Sequence, residues 1–257
     1  MATTIDPDLS TILPSETTLA GPYHLFNSSF TITYLTPHAS RNASVLMFAT
    51  YHTSQPNSET HLGKKYAQSP PSHLHFSQAE SFVVLQGRVG TTFGWDCVDK
   101  VFTARDGVQI VKPYTVHTFW PVPPESYAET RADAEGDASL LIWAHPKLPG
   151  VADGVFPPSM DHLFFHSLLS FVSDIHEGKE KMDLLLIMLM QHESDTAPIM
   201  LPTWNILGPL RWWLPWQLQG LLAAVARWQG KSAILERYVG KKDYQKWLHV
   251  QRKAKAS

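Results

Sequence analysis

His73 and His75 stand one residue apart in the stretch PPSHLHFSQAESFVVLQG, Glu80 follows five residues after the second of them, and His117 comes far downstream in KPYTVHTFWP. A fold that brings these four side chains to one point is tightly restricted. In an extended strand, positions i and i+2 point to the same face, so both imidazoles of His-Leu-His can reach one ion. Glu80 opens ESFVVLQG, a β-branched and aromatic run closed by Gly87 that reads as a second strand, and a hairpin would return its carboxylate to the histidines. The segment DGVQIVKPYTVHTFWP turns at Asp106-Gly107 and near Pro113 and delivers His117 at the start of another strand. Three neutral nitrogens and one hard oxygen suit a single divalent transition metal (Fe, Mn, Ni, Cu or Zn) with positions left open for substrate or oxygen.

The spacing His-x-His, four residues, Glu, six residues, Gly resembles the first motif of the cupin superfamily, here His73, His75, Glu80 and Gly87, although Gly63 lies further upstream than that motif's leading glycine. Gly107 and His117 resemble the second motif. There the chain departs from the pattern: Lys112-Pro113-Tyr114 stands where a Pro-x-Gly turn is expected, and Pro121 stands near the usual Asn. The resemblance covers roughly residues 25 to 146. It implies a mainly β fold, a jelly-roll barrel, with His73, His75, Glu80 and His117 as metal ligands.

A chain of 257 residues with 44% apolar content can build a barrel core plus an appendage. The net charge of −2 and the lack of a basic patch argue against nucleic acid as a partner. A single cysteine, Cys97, cannot make an internal disulfide, and MATTIDPDLSTILPSE lacks a basic start and an apolar signal core, so a cytoplasmic location is expected. The sequons at Asn27 and Asn42 are then chance matches.

Residues 1–24 read as a polar arm, 25–146 as the barrel and 147–257 as an α-helical C-terminal extension. Eight strands are expected, at Phe30–Leu35, Val45–Tyr51, Ser72–Phe76, Ser81–Gln86, Val89–Trp95, Val108–Lys112, Val116–Trp120 and Leu140–Ala144. In the extension, a helix capped by Ser159 runs to His176, a second over Lys179–Gln191 carries the all-apolar LLLIMLM and must be buried, and a third spans Trp216–Gln229 up to Gly230. Such a tail covers the barrel or forms a homodimer interface. Pro215, Gln217 and Gln219 leave too short an apolar run to span a bilayer, which takes roughly 20 residues, so contact with a membrane is limited to its surface.

On the strand after Glu80, Phe82 and Val84 share its face, and Phe119 shares that of His117; with Tyr114 and Trp143 they are the expected substrate-binding wall. His145 and Gln109 are further pocket candidates. An apolar wall around one polar focus suits an apolar polyketide- or terpenoid-like molecule. No Lys or Arg falls on an inward position, and Lys112, Arg88 and Arg105 are expected at the surface. The barrel with its helical tail also resembles a group of fungal cupins found in natural-product pathways. That resemblance implies a secondary-metabolism enzyme, with non-redox cyclisation or isomerisation as the first expectation. Oxygenation by an Fe or Cu dioxygenase is the alternative, and non-catalytic binding the third.

Overall fold

The computed structural model describes residues 15–53, 55, 58–123, 136–146 and 161–256. Eleven strands form two antiparallel sheets. Ten precede the helices: β1 (Thr18–Leu25), β2 (Phe30–Leu35), β3 (Val45–Tyr51), β4 (His73–His75), β5 (Ala79–Gln86), β6 (Val89–Phe93), β7 (Val98–Phe102), β8 (Gln109–Val111), β9 (His117–Pro121) and β10 (Ala138–His145). The last, β11 (Thr196–Pro198), lies between helices. The six-stranded sheet has the order β1-β2-β3-β10-β5-β8 and the five-stranded sheet the order β11-β4-β9-β6-β7. This is the double-stranded jelly roll of the cupins, followed by helices.

All eight expected strands are present, with ends shifted by a few residues. Three others are not visible in the sequence pattern. β1 takes residues 18–24 of the expected polar arm together with Leu25, so the six-stranded sheet begins inside that arm. The strand is hard to recognise because Gly21-Pro22 interrupts it and its register with β2 shifts between Ala20 and Tyr23. Gly21 has φ +96°, and a Cβ there would sit 2.9 Å from the Ile32 carbonyl oxygen. β7 is an exposed edge strand whose VDKVF carries two charges. β11 is three residues long and belongs to the segment read as purely helical. The motif glycine Gly87 turns the chain from β5 to β6 at φ +67°, where a Cβ would press to 2.9 Å from the backbone at Asp137 and Ala138.

Strand alternation divides the side chains into two populations. Tyr34, Met47, Leu140, Phe82, Val84, Val89 and Phe119 pack into the main core between the sheets. Leu35, Leu46, Val83, Leu85, Leu141 and Trp143 form a second cluster on the opposite face of the six-stranded sheet.

The extension holds α1 (His162–His176), α2 (Leu184–Glu193), α3 (Leu210–Trp228), α4 (Glu236–Val239) and α5 (Lys241–Ala256). Ser159 lies outside the described residues; Asp161 caps α1, its side chain accepting from the Phe164 N–H. α2 starts at Leu184, not Lys179, because Asp183 caps it by accepting from Leu186 N–H. Phe164 and Phe171 of α1, Leu186, Leu189 and Met190 of α2, and Ala223 and Ala226 of α3 join the main core. LLLIMLM is therefore buried along one side, while Leu184 remains 56% exposed. α3 begins before Trp216 and runs through Pro215, which forfeits one backbone bond to Arg211. Its outer side exposes Leu210, Leu214, Leu218, Leu221 and Trp228. No helix among the described residues is long and apolar enough to cross a membrane.

Leu189, fully buried where α2 meets the main core, measures how much the extension contributes to stability. Leu189→Ala is expected to cost about 2–5 kcal/mol, read as a shift in the urea unfolding midpoint, whereas Leu184→Ala at the exposed end of the same helix should cost far less.

Candidate metal centre

His73 and His75 lie at the two ends of β4 with Leu74 between them. Leu74 turns to the far side of the sheet, into a cluster with Val116, Ala197 and Ile199, so the two imidazoles share the inner face. His117 opens β9 and pairs directly with His73. Glu80 comes from the other sheet, on β5, where its cross-strand neighbours are Val111 and the small Ala144. The imidazole centroids lie 4.4 Å apart for His73–His117, 5.0 Å for His73–His75 and 5.2 Å for His75–His117. Glu80 Oε2 lies 3.1 Å from His117 Nε2 and 3.3 Å from His75 Nε2. One ligand atom from each of the four residues falls within 4.8 Å of the others.

The far side of each ring is also held. His73 Nδ1 lies 2.9 Å from the Pro71 carbonyl oxygen, and His117 Nδ1 2.9 Å from that of Thr115. A carbonyl can only accept, so Nδ1 carries a proton in these two rings and Nε2 is the nitrogen turned to the centre. His75 Nδ1 reaches the Thr196 hydroxyl of β11 at 3.1 Å. Burial lowers the pKa of His73, helped by the neighbouring His117 and His75, and burial likewise lowers that of His75. Burial alone would raise the Glu80 pKa. The imidazoles of His117 and His75 beside it outweigh that and hold the carboxyl below its usual range.

Three imidazole nitrogens converging on a carboxylate in a buried site are the donor set of a divalent first-row metal. Ligand atoms about 2.1 Å from one ion lie at most about 4.2 Å apart, so a contraction of well under an ångström seats one. His75, Glu80 and His117 are buried and His73 is the least covered of the four, so the accessible side of the centre is the His73 side.

The expected substrate-binding residues divide between the two faces. Phe82 and Phe119 do lie on the inner face: their rings meet edge to face at 5.0 Å, Phe119 lies 5.9 Å from His117, and Phe102 of β7 packs against Phe82. Val84 is two positions further along β5, deep in the core and 1% exposed. Trp143 belongs on the other face. It pairs with Ser81, not Glu80, and its ring lies in the outer cluster under the Arg41 guanidinium. His145 shares that outer parity and bonds the Ser81 hydroxyl. Tyr114 also points away: it adopts φ +63° at the turn position where a cupin places glycine, and its ring packs on Phe76 and Trp212. Its N–H donates to the His75 carbonyl and so pins the end of β4. The Gln109 amide is used locally, donating to the Asp106 carbonyl. Lys112 and Arg105 are exposed, and Arg88 follows Gly87 in the β5–β6 turn.

Sequence reasoning missed Thr196, which carries no local signal because it acts 121 residues away from its partner. It also missed Phe102, on the unrecognised β7. A separate cleft of about 550 Å³ lies among the helices, lined by Phe171, Leu186, Lys231 and Arg237. None of its residues belongs to the His/Glu cluster, and Lys231 and Arg237 are paired with Asp183 and Glu180.

Fold and donor set together define a cupin jelly roll with a three-histidine, one-glutamate centre. No family model matches the chain. It is 31% identical over 163 residues to the oxidoreductase iacF of Pestalotiopsis fici, covering 62% of this chain and 67% of that protein, and it belongs to the family of fungal proteins that includes it. It is also 29% identical over 170 residues to the probable oxidoreductase yanE of Aspergillus niger, covering 65% of this chain, and 28% identical over 147 residues to the oxidoreductase macE of Penicillium terrestre, covering 57%. The chain spans about half the length of these last two, 55% and 50%. Among solved structures, a Klebsiella pneumoniae protein with a double-stranded β-helix domain aligns with 50% of this chain and 79% of its own at 16% identity and a TM-score of 0.32.

Purified protein should carry close to one equivalent of a divalent metal by elemental analysis, and the His73→Ala, His75→Ala double variant should carry almost none. In metal-free protein, stability should fall as pH drops from about 7 to about 5. His73 and His75 are held neutral in the fold but take up protons near pH 6.5 once unfolded, so the unfolded state binds more protons in that window. Urea midpoints measured across the range would show this slope, and it should flatten in His73→Gln.

Proposed function

We propose that this chain is a metal-dependent oxidoreductase of small-molecule biosynthesis, acting on an apolar substrate held at the inner face of the barrel beside His73, His75, Glu80 and His117. The observation that carries the reading is the convergence of three imidazole nitrogens and one carboxylate beside the Phe82–Phe119 pair. The relatives' description as oxidoreductases supports the redox direction. When bound, a redox-active ion such as Fe(II) or Cu(II) in this donor set supplies electron transfer and open positions for substrate and oxidant.

The residues of the chain do the rest. The Nδ1 contacts keep the three rings oriented, so little reorganisation is needed when substrate arrives. Glu80 contributes the one negative charge of the set and stays ionised at neutral pH. Phe82 and Phe119 exclude water on one side and present an apolar wall, leaving approach from the His73 side. They position a substrate through shape and apolar contact, which suits a polyketide- or terpenoid-like skeleton.

A second reading, non-redox cyclisation or isomerisation, draws on one observation: Lys112 and Arg105 are exposed, so they offer no cationic anchor for an acidic co-substrate at the centre. The two readings part on mass balance. Deleting the gene in the producing organism should accumulate a precursor that differs from the final metabolite by oxygen or by hydrogen. An accumulated compound of the same mass as the product assigns the chain to isomerisation. Phe119→Leu, which keeps most of the side-chain volume, should alter product ratio or lower turnover about tenfold, or about 1.4 kcal/mol, while leaving the melting temperature nearly unchanged.

A further inference from the structure

The three histidines of the centre are not held alike. His73 and His117 each donate Nδ1–H to a carbonyl two residues upstream on their own segment, Pro71 and Thr115. These contacts belong to the barrel itself. His75 instead faces the Thr196 side chain at 3.1 Å, on a strand that comes from between two helices of the extension. In register, Thr196 sits directly opposite His75, Ala197 opposite Leu74 and Pro198 opposite His73. We infer that Thr196 is a positioning residue of the metal centre, its hydroxyl accepting from His75 Nδ1–H and thereby directing His75 Nε2 at the shared ion; this rests on the metal-dependent reading above.

The surroundings of Thr196 fit that task. Its hydroxyl is 3.3 Å from the Ser194 carbonyl, to which it can donate, and 3.0 Å from the Ser194 hydroxyl. A hydroxyl has one proton and two lone pairs, so donating to the carbonyl leaves it free to accept from both His75 and Ser194. The β-branched side chain has few rotamers, which keeps the oxygen in place. The Thr196 backbone is fixed from a third direction, because the fully buried Gln219 of α3 donates its Nε2–H to the Thr196 carbonyl at 2.9 Å. Asp195, in a left-handed conformation, accepts at its carbonyl from Phe76 N–H and so ties the start of β11 to the end of β4. The helical extension therefore completes the metal centre as well as covering the barrel, and a packing change in α2 or α3 reaches the ion through Thr196.

Thr196→Val keeps the shape and strand preference and removes the acceptor; Thr196→Ser restores it. Two measurements on Zn(II)-titrated protein decide the matter. In Zn(II)-loaded wild type, where the ion occupies Nε2, the His75 Nδ1–H should be protected from solvent exchange by its bond to Thr196; that protection should be lost in Thr196→Val and recovered in Thr196→Ser. Zn(II) affinity by chelator competition should fall about 10- to 100-fold in Thr196→Val and stay within a few-fold of wild type in Thr196→Ser. If Thr196→Val does not fold, Thr196→Ala supplies the same comparison. Retention of the Nδ1–H protection, or unchanged Zn(II) affinity, in the variant lacking the hydroxyl overturns the role. A wild type that takes up no Zn(II) overturns the metal reading and this role with it, whereas Zn(II) uptake that Thr196→Val leaves unchanged overturns the role alone.

Discussion

Four donor atoms gathered from two sheets into a space a few ångströms across need positive charge among them, a shared proton or a cation. His73, His75 and His117 present lone pairs, Glu80 presents a negative oxygen, and burial removes the water that would otherwise separate them. Much of the barrel can be understood as what it takes to hold that arrangement. The six-stranded sheet supplies Glu80 beside the small Ala144, the five-stranded sheet supplies the imidazoles, and Phe82 and Phe119 close the space between the layers. Turn chemistry serves the same end: Gly87 reverses the chain after the glutamate strand, and Tyr114 accepts a left-handed conformation so that its N–H can fasten β4.

The clustering of His73, His75, Glu80 and His117 is legible in the sequence because each part of it follows from a short-range rule. Two histidines separated by one residue share a face in any strand, a glutamate at the start of an apolar run begins the next one, and a histidine after a turn opens another. The inner wall was legible only where parity was counted outward from a ligand. Phe82 and Phe119 were placed that way and are on the inner face. Trp143 and Tyr114 fall outside that count and point elsewhere: Trp143 is one residue out of phase with Ala144, and Tyr114 sits in a turn where no strand parity applies.

What stayed hidden was hidden for physical reasons. β1 is interrupted by Gly21-Pro22 and β7 is a charged edge, so neither shows the apolar alternation that identifies a strand. β11 is too short for any periodicity, and only the pairing with β4 makes it a strand. In the extension, the apolar content of α2 and α3 announced burial, but not which face would be buried or that Pro215 would be absorbed within a helix. Local pattern gives element type; the partner of an element is decided by what remains uncovered once the others have packed.

β4 is joined to β9 by one residue pair and to β11 by three. During synthesis on the ribosome, the barrel strands emerge first, and His75 is made 121 residues before the threonine that steadies it. At about 5–20 residues per second, that interval is on the order of ten seconds. Through it the nascent barrel exposes one histidine-bearing edge without its neighbouring strand, so the last event in assembling this centre is the arrival of the C-terminal segment rather than the closing of the barrel.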